Sequence, residues 1–315
     1  MQRAQFIAMV VVLGATYGTA SWKSLEAQDA AECRTPRAAC DGFDRFRLEP
    51  GNTPTWSPQM IRESGRPIVP VFEGWFPNED GSYTLSFGYL SMNLEEDLHI
   101  PLGPDNFIEP AEFDGGQPTY FKEIHRVIRR PWNSFMIRVP ADFGDQRITW
   151  TLNNHGDTYT VPGHISSPSY IIENPVAPAR YLQGTASGYA PELRFEEEGT
   201  GVRGLAGTHW GPLTARVGQP LSISAWVNSA ETLYEEPESW LYWMHYSGPE
   251  GANVTFSEDE VEIPLTEGDG VGTTMVTFTE PGDYVLLVQS IETLRNSFEY
   301  HCCWTNGWVE VTVTN

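Results

Sequence analysis

Apolar and polar positions alternate along much of the chain from residue 69 onward. After the turn residues Asn78–Gly81, the side chains of Tyr83, Leu85, Phe87 and Tyr89 alternate with smaller ones. A period of two is typical of a half-buried β-strand, and an Asn/Asp/Gly turn between two such runs predicts a hairpin. The same signature recurs at 135–139, 147–152 and 159–161, with no sustained helical period. Residues 66–174 are therefore predicted to form an antiparallel β-sandwich or partial barrel.

A second set of strands follows a segment rich in Pro, Gly and Glu. Leu221, Ile223, Ala225 and Val227 alternate with Ser222, Ser224 and Trp226, and further strands are predicted at 240–246, 274–278, 283–288 and 308–313. Tyr284 opens a strand just after Glu280-Pro281-Gly282, which is where a tyrosine corner lies in immunoglobulin-like domains. This spacing predicts an immunoglobulin-like sandwich over residues 206–315.

The predicted fold class is all-β, with two antiparallel β-sandwich-like domains after an export or anchor segment. The expected organisation is an export segment (1–28), an N-terminal extension (29–65), a first sandwich (66–174), a linker (175–205) and the immunoglobulin-like domain (206–315). We expect the linker to contribute a strand near 193–195.

The sequence also resembles known families. The phrases Val217-Gly218-Gln219-Pro220-Leu221 and Glu280-Pro281-Gly282-Asp283-Tyr284-Val285 resemble PKD-like and other immunoglobulin-like modules. The whole chain is similar to uncharacterised exported bacterial proteins, through Glu73-Gly74-Trp75, Phe87-Gly88-Tyr89, Asp142-Phe143-Gly144-Asp145 and Cys302-Cys303-Trp304-Thr305-Asn306. The module resemblance implies adhesion, spacing or partner docking and brings no activity with it.

The N-terminus predicts export. Arg3 precedes an uncharged run from Ala4 to Trp22, the layout of a signal peptide, and Gly18-Thr19-Ala20 suits cleavage. The alternative is a retained anchor, since this run just reaches the length that spans a bilayer. Contact with a membrane is expected only in that case. The expected location is the periplasm, soluble or anchored, or the cell surface.

Four cysteines fit an oxidising compartment. Cys33, Cys40, Cys302 and Cys303 are even in number and permit three pairings, which the sequence leaves open. A local Cys33–Cys40 bridge is the simplest pairing. Metal binding by His301, Cys302 and Cys303 is disfavoured, because adjacent residues of a strand point to opposite faces.

Composition limits the partners. The chain has 315 residues with 19 Lys+Arg and 42 Asp+Glu, a net charge of −23. We expect no nucleic-acid partner, because binding to phosphates needs a basic surface and this chain is strongly acidic. The hydrophobic fraction of 40% is that of a folded chain, not a disordered one.

Motifs for catalysis are lacking. Metalloprotease, nucleophile-elbow, phosphate-loop and EF-hand spacings do not occur, and the seven histidines are scattered. We expect no enzymatic activity, no cofactor and no bound metal. Acidic groups at 95–97, 258–260 and 267–269 could bind calcium through loop oxygens, although a solvated acidic surface is the favoured interpretation.

One stretch concentrates cations in this acidic chain, and it carries the predicted binding residues Tyr120, Lys122, Arg126, Arg129, Arg130 and Trp132. It suits electrostatic docking of an acidic partner, while pairing with carboxylates of the same chain is the alternative that the charge balance slightly favours. The predicted function is a non-catalytic exported interaction or scaffold protein, such as an accessory subunit of a respiratory or photosynthetic membrane complex. A carbohydrate-binding or glycoside-hydrolase accessory protein is the alternative, because tryptophans at 226, 240 and 243 could stack on sugars if exposed.

Overall fold

The computed structural model describes residues 63–123, 133–172, 190–228, 238–265, 269–292 and 304–315. Within these ranges the chain forms seventeen β-strands and two short 3₁₀ turns, with no α-helix. The predicted all-β class is confirmed.

The described residues between 63 and 172 form the N-terminal sandwich. One antiparallel sheet contains β1 (Ile68–Pro77), β2 (Tyr83–Ser91) and β6 (Phe135–Val139), and the other contains β4 (Asn106–Glu109), β7 (Ile148–Asn154) and β8 (Asp157–Gly163). A short ribbon joins β3 (Leu98–His99) to β5 (Tyr120–Phe121). Phe135 stacks on Phe87 at 5.3 Å and meets Trp150 edge-on at 4.9 Å, so the two sheets pack face to face around aromatic rings.

The predicted hairpin is β1–β2. The N–H of Asn78 donates to the Ser82 carbonyl at 2.8 Å, and the register shifts by one residue at Gly74. Gly74 has φ +142°, and a Cβ there would lie 2.3 Å from the Tyr170 carbonyl oxygen. Only glycine fits this bulge, because any side chain would collide with backbone.

The described residues from 190 to 315 form the C-terminal sandwich. Its four-stranded sheet has the order β13 (Val254–Phe256), β15 (Asp269–Phe278), β11 (Leu221–Asn228), β9 (Glu192–Arg194). Its five-stranded sheet has the order β10 (Thr208–Arg216), β17 (Trp304–Thr314), β16 (Gly282–Glu292), β12 (Glu238–Ser247), β14 (Glu260–Pro264). The edge strand β10 runs parallel to β17, while the other pairs are antiparallel.

This topology is immunoglobulin-like, as predicted. From β9 to β16 successive strands alternate between the two sheets, and the core between the sheets contains Ile223, Trp243 and Leu286. The Tyr284 hydroxyl donates to the Glu280 carbonyl at 2.6 Å, and the ring is buried. This bond has the geometry of a tyrosine corner, so the position predicted from the turn is correct.

The two sandwiches share buried surface. Met244, Leu287 and Trp308, on the outer face of the five-stranded sheet, belong to the same apolar cluster as Phe87 and Trp150 of the N-terminal sandwich. A further cluster joins residues of both sandwiches: Phe76 and Ile172 with Leu205, Tyr242, Ile291 and Trp304. The described residues accordingly belong to one compact unit. The predicted domain limits stay predictions, because much of the 175–205 linker lies outside the described residues.

Two predictions fall outside the described residues entirely. They are the export segment Ala4–Trp22 and the four cysteines, Cys33, Cys40, Cys302 and Cys303. Among the residues that are described, no helix is long and apolar enough to cross a membrane.

Candidate functional site

A cavity of about 290 Å³ opens beside β5, where the predicted basic and aromatic stretch begins. We call it the Lys122 cavity. Its lining includes Tyr120 and Lys122 from the N-terminal sandwich and His245 and Asp259 from the C-terminal sandwich. It therefore brings two of the six predicted binding residues to the boundary between the sandwiches.

Tyr120 is held inside an aromatic stack. Its ring lies 4.3 Å from that of His99 and 3.6 Å from that of His245, and its hydroxyl donates to the Pro249 carbonyl at 2.6 Å. The residue is only 9% exposed, so it is a packing residue here rather than a surface anchor. Burial lowers the pKa of His245 to about 3, which keeps the imidazole neutral near neutral pH.

Lys122 is engaged within the chain. Its ammonium group pairs with the Asp259 carboxylate, and its backbone N–H donates to the Tyr89 hydroxyl oxygen at 2.9 Å. Its side chain is 18% exposed. This contact is an ion pair within the chain, which is the interpretation that competes with docking of an acidic partner.

A carboxyl pair lies next to this ion pair. The Glu123 N–H donates to Asp97 Oδ1 at 2.8 Å. Burial raises the pKa of Asp97 to about 7, with further contributions from the hydrogen bond and the charge of Glu123. The carboxyl groups of Asp97 and Glu123 can therefore share one proton near neutral pH, next to the Lys122 ammonium group.

The acidic groups noted in the sequence for calcium partly converge on the same cavity, since Asp97 and Asp259 both line it. Within the described ranges, no group of three or more His, Cys, Asp or Glu side chains could hold a metal ion. The remaining predicted binding residues, Arg126, Arg129, Arg130 and Trp132, lie outside those ranges. Their docking role stays a prediction.

The aromatic residues of β11 and β12 are mostly core. Trp243 is fully buried, Tyr242 and Tyr246 are nearly so, and Trp226 and Trp240 are half-buried. Trp226 alone of these five lies on the outer face of the four-stranded sheet, because β11 alternates between buried Ile223, Ala225 and Val227 and outward residues.

That outer face is a second candidate site, which we call the open face. Register pairs Trp226 with Val271, Ser224 with Thr273 and Ser222 with Met275 across β11 and β15, so these side chains share one surface. Val271 is 50% exposed and Met275 39%. The Ser224 and Thr273 hydroxyls lie 2.8 Å apart.

Two ion pairs lie along the β9 edge of the open face, where Arg194 is the register partner of Trp226. Arg194 pairs with Asp269 at 3.1 Å, and Glu192 lies 3.8 Å from Arg203. The central residues, Ser222, Ser224, Trp226, Val271, Thr273 and Met275, carry no charge in a chain of net charge −23. No sequence motif marks this surface, and its only signal is the set of residues that alternate with Ile223, Ala225 and Val227 along β11.

Comparisons with known proteins find only distant similarity to this chain. No protein-family model matches it, and no curated protein matches it. Solved structures that match include the ASH/PapD-like domain of human CEP192, with 11% identity over 48% of this chain and 94% of that chain and a TM-score of 0.28. Domains 4 and 5 of the S-layer protein SbsC match with 11% identity over 53% of this chain and 65% of that chain, with a TM-score of 0.22. At such identities and TM-scores, these matches assign neither a family nor a function.

Proposed function

We propose that this protein is a non-catalytic exported interaction protein that docks onto another protein through the open face. The observation that carries the proposal is the centre of that face, where Trp226, Val271 and Met275 lie among uncharged hydroxyl side chains, with the Arg194–Asp269 ion pair beside Trp226 at the edge. Depletion of charge together with aromatic and Met side chains is typical of the core of a protein interface.

The basic stretch from Tyr120 to Trp132 is proposed as a secondary, steering contact. Cations in an otherwise acidic chain would orient an acidic partner and affect mainly the association rate. Since Lys122 already pairs with Asp259, this contribution would come from Arg126, Arg129 and Arg130.

The proposed location follows from the Ala4–Trp22 segment. If the segment is cleaved, the protein acts as a soluble periplasmic or surface module. If it is retained, the protein is an accessory subunit held at a membrane complex. Intact mass of the protein from native membrane and soluble fractions distinguishes the two.

Docking is tested with the double variant Val271→Arg plus Met275→Glu. Native extracts are cross-linked, and complexes containing the protein are resolved by size and identified by mass spectrometry. We expect a discrete complex with the unchanged chain and its loss with the double variant, because charges at an interface core are costly to desolvate.

Leu94→Arg is the matched control, because Leu94 has the same 50% exposure as Val271 but lies away from the open face. It should leave the complex intact, and Arg126→Glu plus Arg129→Glu should slow its formation. A chain that is monomeric in its native extract, or a complex that survives the double variant, would contradict the proposal.

A further inference from the structure

Four strands lie at the sheet edges of the C-terminal sandwich among the described residues: β9, β13, β10 and β14. An edge strand presents unpaired N–H and C=O groups to which another chain can add a strand, so proteins usually protect such edges. The edge of β9 is occupied, because Leu193 and Val202 exchange backbone hydrogen bonds at 2.8 and 3.0 Å. The edge of β10 is interrupted by Pro212 and a shift of register, and β14 contains two glutamates and ends on Pro264. These three edges are therefore protected.

The fourth edge strand, β13, has none of these protections. The segment Asn253–Ser257, which includes β13, contains no proline and no charged residue. Within the described ranges, β15 is the one strand that pairs with β13. The other side of β13 is thus open to a further strand.

The register shows which backbone groups of β13 are free to bond. Just after the strand, the Ser257 N–H donates to the Met275 carbonyl of β15 at 2.8 Å. Residues of an antiparallel pair alternate between bonding to the partner strand and pointing away from it. Thr255 therefore also bonds to β15, while Val254 and Phe256 direct their N–H and C=O groups away from the sheet.

This free edge lies at the Lys122 cavity, which has a volume of about 290 Å³. The lining of the cavity includes all three residues of β13, together with Tyr120–Glu123 from β5 and the residues that follow it. The side chains of Val254 and Phe256 are half-buried and pack against the core of the C-terminal sandwich. A chain lying along β13 would therefore meet free backbone groups and apolar surface together.

The charges of the cavity indicate which kind of chain it favours. Its lining contains the carboxyl groups of Asp97, Glu123 and Asp259 and one cation, Lys122. Lys122 already pairs with Asp259, which leaves the Asp97–Glu123 pair to attract a second cation. An entering chain with a Lys or Arg is favoured over one with a Glu or Asp, because unlike charges attract.

We propose that β13 binds an extended segment of a partner protein as an added β-strand, with a Lys or Arg of that segment beside Asp97 and Glu123. In strand addition, backbone hydrogen bonds supply affinity and side-chain pockets supply specificity. The inference rests on the proposed function in that the partner is a protein, and it names the form of one contact. It uses the backbone of β13 rather than the side chains of the open face, so the two proposals can fail separately.

The probes are synthetic peptides of alternating Val and Thr in which one central Thr is replaced by Lys, Arg, Gln or Glu. Binding to the full chain is measured by fluorescence anisotropy. We expect the Lys and Arg peptides to bind about tenfold more tightly than the Glu peptide, with the Gln peptide between them.

Methylation of the peptide backbone tests for strand addition directly. Each N–H of the Lys peptide is replaced in turn by N–CH₃, which removes one donor and leaves the side chains unchanged. Only every second N–H of an added strand faces β13, so methylation at alternate positions should abolish binding and methylation between them should not. An equal effect at all positions would contradict strand addition.

A pair of variants locates the binding on β13. Val254→Pro removes an N–H that points away from β15, and a proline is tolerated at such an edge position. We expect it to weaken binding of the Lys peptide at least about tenfold, while Val254→Ala, which keeps the N–H, stays within about threefold of the unchanged chain. Equal losses would show that the side chain and not the backbone binds. The methylation scan needs no variant, so it decides the proposal even if Val254→Pro does not fold.

A second pair of variants tests the charge. Asp97→Asn plus Glu123→Gln should reduce the affinity for the Lys peptide to that for the Gln peptide. Asp145→Asn plus Glu112→Gln makes the same changes at exposed positions outside the cavity and should leave both affinities unaltered.

Three further results would overturn the proposal. They are the absence of binding by the Lys and Arg peptides, tighter binding of the Glu peptide, or a dimer of the chain alone that Val254→Pro abolishes, since a second copy would then occupy the edge. The double variant Val271→Arg plus Met275→Glu should bind the Lys peptide like the unchanged chain, which separates this result from the test of the open face.

Discussion

The two outer faces of the C-terminal sandwich differ in what lies against them. The outer face of the five-stranded sheet packs on the N-terminal sandwich through Met244, Leu287 and Trp308. The open face of the four-stranded sheet presents Val271 and Met275 to solvent. Within one fold, therefore, one sheet is buried on both sides and the other on one side only.

The sequence reflects this difference directly. Strand β16 contains the unbroken apolar run Val285–Val288, and β12 contains the run Trp240–Met244, whereas β11 alternates apolar with Ser and Trp. Strands covered on both faces need apolar side chains at every position, while strands covered on one face need them at alternate positions. An unbroken run in a predicted sandwich strand thus indicates that a second body covers that face.

The largest expected effect tests this asymmetry. Leu287→Ala, on the covered face, should reduce the free energy of unfolding by about 2–5 kcal/mol, because it leaves a cavity in a shared core. Val271→Ala, on the open face, should change it by less than about 0.5 kcal/mol. Urea unfolding of both variants provides the measurement, and equal losses would refute the distinction between the faces.

The next effect concerns the polar centre of the covered face. Asn306 Nδ2 donates to the carbonyls of Asn133 and Leu205 at 2.8 and 3.1 Å, and its Oδ1 accepts from Gln289 at 3.0 Å. Asn306→Ala should cost about 3 kcal/mol of unfolding free energy, since it leaves buried polar groups unpaired. Asn153→Ala, which removes an exposed bond to the Pro104 carbonyl, should cost under about 1 kcal/mol. If both variants lose the same amount, Asn306 does not join the sandwiches.

A smaller effect is expected in the core between the two sheets of the C-terminal sandwich. Tyr284→Phe removes the bond to the Glu280 carbonyl and should lower the unfolding free energy by about 1 kcal/mol. Tyr159→Phe, at a half-buried ring with a 3.4 Å contact to exposed Asp157, is the control and should have almost no effect. Chemical denaturation of both variants checks the tyrosine corner, and a neutral Tyr284→Phe would argue against it.

A pH-dependent effect is expected at the rim of the covered face, where Met244 also lines the Lys122 cavity. Because burial raises the pKa of Asp97 from 3.8 to about 7, the unfolded chain ionises this group first as pH rises. The stabilisation from a protonated Asp97 is therefore lost between about pH 4 and pH 7.

Asp97→Asn should flatten this part of the stability profile. Melting temperatures of the two proteins measured from pH 4 to pH 7.5 should converge at the acidic end and diverge in favour of the variant as pH rises. Asp145→Asn, at an exposed turn, should follow the unchanged chain. Parallel profiles for all three proteins would show that Asp97 is not buried as described.

The candidate sites were harder to predict than the strands. Lys122 and Tyr120 were selected for charge and aromaticity, and the structure places both at a cavity, but with their groups already engaged. The partner of Lys122 is Asp259, 137 residues away in sequence. No local sequence pattern predicts this ion pair, because it forms only when the two sandwiches pack against each other.

The sequence by itself determined the all-β class, the tyrosine corner and the strands with clear alternation or apolar runs, but not β3, β4, β5, β10, β13 or β14. These features depend on the alternation of apolar and polar residues and on the residue types of the turns. Both can be recognised within a short stretch of sequence. Only the tertiary structure decided which sheet face is covered and which carboxylates meet at the Lys122 cavity. These outcomes arise from contacts between residues far apart in the chain, where packing of whole sheets rather than local preference determines the position of each side chain.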